Sequence, residues 1–103
     1  MAKLILLTGG IRKEFDLGDF NTIGRHPDNS VQILDRIVSK EHAHVIKQTD
    51  GTFMLKDLGS LNGTYVGNTR IHEQILKHGD EITMGSTRLL FSDRPSTEES
   101  LHR

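Results

Sequence analysis

A guanidinium, a hydroxyl and an ammonium fall close together in this chain: Arg25 after Gly24, then Ser39 and Lys40. Downstream, Asn62 adds a side-chain amide within Gly59-Ser60-Leu61-Asn62-Gly63-Thr64. Such groups converging on one spot can grip a phosphate, because each donates to an oxygen and the cations offset its charge. Taken singly, each has a plainer reading: Arg25 as a solvated surface residue, Ser39 and His42 as hydrogen-bonders that order a loop. Hydrolysis fits poorly. Ser39 and His42 are a conceivable nucleophile and base, but a G-x-S-x-G elbow is absent and no acid is evidently placed to orient the imidazole. His42 and His44 stand two apart, as metal ligands can. Without cysteine or a tight carboxylate cluster they make a poor metal site, and no cofactor is expected. Asn62-Gly63-Thr64 matches a glycosylation acceptor, but with no secretory signal it reads first as a tight turn.

The elements that must position these groups read as strands. Apolar blocks of three to five residues are broken by Gly, Asn, Asp or Pro, the rhythm of a β-sandwich or barrel. Strands are expected at Lys3–Thr8, Lys13–Leu17, Phe20–Arg25, Val31–Leu34, Glu41–Gln48 and Thr52–Lys56. Further strands are expected at Thr64–Val66, Thr69–Ile71, Gln74–Leu76, Glu81–Met84 and Thr87–Ser92. Within Glu41–Gln48 the alternation puts Ala43 and Val45 on one face and His42, His44 and Ile46 on the other. Almost no helix is expected, because no long window keeps a helical period. After Asp93 the composition turns polar, so residues 1–93 read as one domain and 94–103 as a disordered tail or linker. In that tail Thr97, beside Glu98 and Glu99, is a candidate phosphorylation site.

Composition narrows the function. The 103 residues suit one domain, and a net charge of −1 supplies no global field for nucleic acid or anionic lipid. An anion must therefore be gripped locally. Leu4-Ile5-Leu6-Leu7 is too short for a signal core or membrane span, so a soluble, cytoplasmic module is expected.

In this order and spacing the motifs become specific. From Phe20 to Phe91 the chain resembles the forkhead-associated (FHA) family. The resemblance rests on Ile23-Gly24-Arg25-His26-Pro27, Val38-Ser39-Lys40-Glu41-His42-Ala43, Asp57-Leu58-Gly59-Ser60-Leu61-Asn62-Gly63-Thr64-Tyr65-Val66 and His78-Gly79-Asp80-Glu81-Ile82. It implies an all-β sandwich of two antiparallel sheets, about eleven strands, with binding loops at one end. It also implies a non-enzymatic module that recognises phosphothreonine in an extended peptide. Arg25 and Ser39 match phosphate-contacting positions, and Lys40 follows them with a further cation. Asn62 matches the position that pairs with peptide backbone. Gly24, His42, Gly63 and Thr64 match architectural positions. Leu61 departs from the family's frequent threonine and cannot touch a phosphate. Arg36 and Ile37 flank the proposed site, and apolar Ile37 in a loop suggests preference for an aliphatic residue beyond the phosphothreonine. The implied partner is a Thr-phosphorylated protein, met by a monomer that serves as a module of a longer signalling protein. The alternative is the same fold docking partners independently of phosphorylation.

Overall fold

The computed structural model describes residues 2–94. Eleven strands run in chain order: β1 (Lys3–Thr8), β2 (Ile11–Asp16), β3 (Phe20–Gly24), β4 (Val31–Gln32), β5 (Ala43–Lys47), β6 (Phe53–Asp57), β7 (Thr64–Val66), β8 (Thr69–Ile71), β9 (Glu73–Leu76), β10 (Glu81–Met84) and β11 (Thr87–Ser92). There is no helix among the described residues. A six-stranded sheet in the order β2-β1-β11-β10-β7-β8 packs on a five-stranded sheet in the order β4-β3-β5-β6-β9. All but one of the strand pairings are antiparallel. The exception is β3 with β4, which run parallel through Ile23 opposite Val31 and Gly24 opposite Gln32. The expected tail from residue 95 onward, including Thr97, lies outside the described residues.

Local chemistry explains where the strands stop. Gly9 and Gly10 both take positive φ, at 53° and 78°, as a tight two-residue hairpin requires. β2 therefore begins at Ile11, opposite Thr8, two residues earlier than the apolar pattern suggested. β4 ends after Gln32, so Leu34 is not in a strand and stands 86% exposed. Between the sheets, Leu4, Ile82, Met84, Leu89 and Phe91 meet Ile23, Ala43, Val45, Phe53 and Leu55 in a continuous apolar core. Two more core residues, Ile33 and Val38, come from the β4–β5 segment and pin that loop to the sandwich.

One expectation fails at the start of β5. His42 does not share the outward face of His44 and Ile46; it precedes the strand and is wholly buried. Its backbone N–H donates to Ile23 O at 2.9 Å, while its ring turns inward beneath the loops. The alternation rule holds only while the chain is in a strand, and the chain enters β5 at Ala43.

Candidate functional site

Three loops meet at one end of the sandwich: β3–β4, β4–β5 and β6–β7. Backbone bonds join the first two, with Arg25 N–H donating to Ser39 O at 3.0 Å and His26 N–H to Lys40 O at 3.3 Å. Asn29 reinforces them, its amide nitrogen donating to His26 O at 2.9 Å and Lys40 O at 2.8 Å. Gly24 makes this approach possible. A Cβ there would run into the Lys40 carbonyl oxygen and the Asn29 amide, so the requirement is space rather than φ.

His42 ties the second loop to the third. Its Nδ1 accepts from Ser39 N–H at 3.1 Å, and Nε2 lies 3.0 Å from Gly63 O. The pattern fixes a neutral ring with the proton on Nε2, since Nδ1 already accepts. Burial pushes the imidazole pKa below its ordinary value, outweighing the opposing pull of Gly63 O and Asp57. Asp57 organises the third loop. Its Oδ1 accepts from the hydroxyls of Ser60 and Thr64, both at 2.6 Å, and its Oδ2 from the N–H groups of Gly59 and Ser60, both at 2.9 Å. Burial raises this carboxyl, but the hydrogen bonds prevail and hold it below the usual aspartate value. Ser60 passes the order on by accepting from Gly63 N–H at 3.0 Å. Gly63 itself has φ of 87°, a conformation that disfavours any side chain.

On this scaffold sit the groups that can meet a ligand. Arg25 is half-buried and anchors its Nε on Val38 O at 3.1 Å, which aims the fork while leaving its two terminal nitrogens without a partner among the described residues. The Ser39 hydroxyl accepts one long bond from Leu61 N–H at 3.4 Å, so its proton is available. Asn62 is exposed, and its amide nitrogen donates to Ile37 O at 3.0 Å, leaving its Oδ1 unpartnered among the described residues. Lys40 is exposed, with no side-chain partner among the described residues.

The structure therefore sets Arg25, Ser39, Ile37 and Asn62 on neighbouring loops, with exposed Lys40 following Ser39 and with Gly24, His42 and Gly63 beneath. Thr64 is buried and bonds Asp57, a supporting place. Arg36 lies in the same loop but makes no hydrogen bond or ion pair with the other site residues. A Ser39–His42 nucleophile pair is absent, because the imidazole holds the serine's backbone N–H and not its hydroxyl. Among the described residues, no cluster of three His, Asp or Glu side chains has the geometry to hold a metal.

Asp57, Ser60, Asn29 and Asp35 also hold the loops, although none of them matches a ligand-contacting position in the sequence. An Asp three residues before a Ser is a local turn signal, so Asp57 was findable. Asp35 was only half so. Ile37 N–H on its Oδ1 at 2.9 Å is a local turn, but its Oδ2 also accepts from Ser86 N–H at 2.8 Å and the Thr87 hydroxyl at 2.9 Å.

The fold is a β-sandwich module whose loops at one end present an arginine, a hydroxyl and an amide, donors of the kind an anion requires. The family model for the FHA domain matches residues 21–85, and the chain belongs to the FHA family. It is 43% identical over 74 residues to the oxoglutarate dehydrogenase inhibitor of Corynebacterium diphtheriae, covering 72% of this chain and 51% of that protein. It is 40% identical over 77 residues to the glycogen accumulation regulator GarA of Mycolicibacterium smegmatis, covering 75% and 48% respectively. The chain thus spans about half the length of these curated relatives. A structure solved in a structural and functional analysis of phosphothreonine-dependent FHA domain interactions superposes with a TM-score of 0.79 at 32% identity, covering 91% of this chain and 97% of that one. No helix among the described residues is long and apolar enough to cross a membrane.

Proposed function

We propose that this chain is a phosphothreonine-dependent peptide-binding module of kinase signalling, without catalytic activity of its own. The observation that carries the reading is that Arg25, Ser39 and Asn62 offer unpartnered polar atoms from three loops tied together by Asn29 and buried His42, with exposed Lys40 next to Ser39 in the chain. Arg25 supplies a planar fork for two phosphate oxygens, Ser39 a hydroxyl donor and Lys40 a mobile charge. Asn62 offers its Oδ1 to a peptide N–H. A phosphothreonine carries about −1.5 to −2 charges at neutral pH, so these contacts are charge-assisted, each contributing about 1.5–3 kcal/mol. After the cost of association, the balance suits a micromolar Kd, about −8 kcal/mol. Family membership and the phosphothreonine-dependent FHA interactions of the related structure support the same reading.

The test is a titration of matched peptides bearing phosphothreonine or threonine against the native chain, Arg25→Ala and Arg25→Lys. The native chain is expected to bind only the phosphorylated peptide. Arg25→Lys keeps the charge but loses the fork and the Nε anchor, so most of the affinity should go. Equal binding of both peptides by the native chain would move the assignment to phosphorylation-independent docking.

A further inference from the structure

One side of the sandwich is open. Strands β2 and β4 are edge strands of the two sheets. A cleft of about 790 Å3 lies between them, walled by the β1–β2 hairpin on one side and the segment following β4 on the other. Register explains the opening. Leu4 and Leu6 face Phe91 and Leu89 on the core side, and Leu6 opposes Lys13 while Thr8 opposes Ile11. Ile11 and Lys13 therefore belong to the inner face of their sheet. The opposing edge strand is two residues long and does not reach across to cover them. The result is an aliphatic lining in contact with water: Ile11 is 62% exposed, Leu34 86% and Ile37 46%, above half-buried Leu6.

The rim carries two cations and one carboxylate. Lys13 and Arg36 line the cleft, and neither forms an ion pair among the described residues. Among the described residues one carboxylate lines the cleft, Asp35; it keeps its charge but turns its oxygens to Ile37, Ser86 and Thr87. Apolar walls under a rim with one positive charge in excess complement a ligand that is both aliphatic and anionic.

We propose that this cleft takes a short extended segment, alternating aliphatic and acidic residues, of the same protein whose phosphothreonine occupies the adjoining loops. The proposal rests on the phosphothreonine reading and extends it to a second surface, lined half by the six-stranded sheet with its β10–β11 turn and half by β4 and the segment after it. Ile37 joins the two, because its side chain lines the cleft while Asn62 holds its carbonyl. In an extended chain successive side chains point to opposite sides. Aliphatic groups then enter the cleft while carboxylates turn outward to Lys13 and Arg36. A peptide suits the place better than a small amphiphile, because edge strands offer backbone groups that only another backbone can pair.

Calorimetry on the 103-residue chain tests this with four peptides: a short phosphothreonine peptide, the same peptide carrying a leucine–glutamate tract at its N-terminal or its C-terminal end, and an unphosphorylated peptide with both tracts. One extended phosphopeptide is expected to bind at least about tenfold more tightly than the short one. Leu34→Ser and Lys13→Glu should each erase most of that gain while leaving short-peptide affinity unchanged. If neither extension helps, or the gain survives both substitutions, the cleft assignment is overturned and the phosphothreonine reading stands. If the short peptide does not bind but the unphosphorylated one does, and loses affinity in Leu34→Ser, the cleft stands and the loop reading falls. Dodecanoate binding that Leu34→Ser abolishes, with no gain from either peptide tract, would assign the cleft to a lipid-like ligand and overturn the peptide.

Discussion

Replacing His42 by alanine removes a side chain that touches neither solvent nor any expected ligand atom, yet it should weaken binding as well as the fold. Two backbone groups lose their partners, the N–H of Ser39 and the carbonyl of Gly63. A buried polar group left unsatisfied costs about 1–3 kcal/mol, and the vacated volume adds to that. Water entering the cavity recovers part of the loss, so a net destabilisation of about 3 kcal/mol is expected. For a domain of this size that lowers Tm by about 10–20 °C. Phosphopeptide affinity should fall with it, because Ser39 and the Asn62 turn are no longer held in register. The pH dependence sharpens the test. Burial depresses the folded pKa of His42 below its ordinary 6.5, so below that pH the unfolded chain takes up the proton first. The stability this represents is full above about pH 6.5 and drains away as pH falls toward the folded pKa. Urea unfolding followed from pH 8 to pH 5 should show that decline in the native chain and a shallower one in His42→Ala. A variant that melts within about 3 °C of the native chain, with an unchanged pH profile, would refute the bracing role.

Asp57→Asn swaps an acceptor oxygen for a donor beside hydroxyl and N–H donors, so it should cost about 2 kcal/mol or more, read from the urea midpoint. An unmoved midpoint would show that the β6–β7 loop holds its shape without the carboxylate. Because the Asp57 and Asp35 carboxyls both lie below their ordinary 3.8, a further loss of stability is expected as pH falls below about 4. Gly24→Ala should lower stability by about 1–3 kcal/mol, since a backbone oxygen blocks the new methyl and the loops must part; a crystal structure with both loops unmoved would contradict this. Phosphothreonine should outbind phosphoserine by about 0.8 kcal/mol for its buried methyl, and matched peptides of equal affinity would exclude such a contact.

The strand order along the chain was legible in the sequence because it is a local property. Alternation in Phe53 and Leu55, the paired Gly9-Gly10 and the Gly67-Asn68 turn each act within a few residues. Arg25, Ser39 and Asn62 stood out as candidates because their chemistry and spacing form a motif, and the structure sets them on loops that meet at one end of the sandwich. Tertiary structure decided how the groups are held. His42 sits where the outward face of a strand was expected, because the chain enters β5 one residue later and two distant backbone groups require its ring. Asp35 reaches across 51 residues to Ser86, and no local pattern encodes such a pairing. The parallel β3–β4 pair and the open side beside it are likewise invisible in the sequence. They depend on which edges of the two sheets fall together, and that is settled only when the sheets stack.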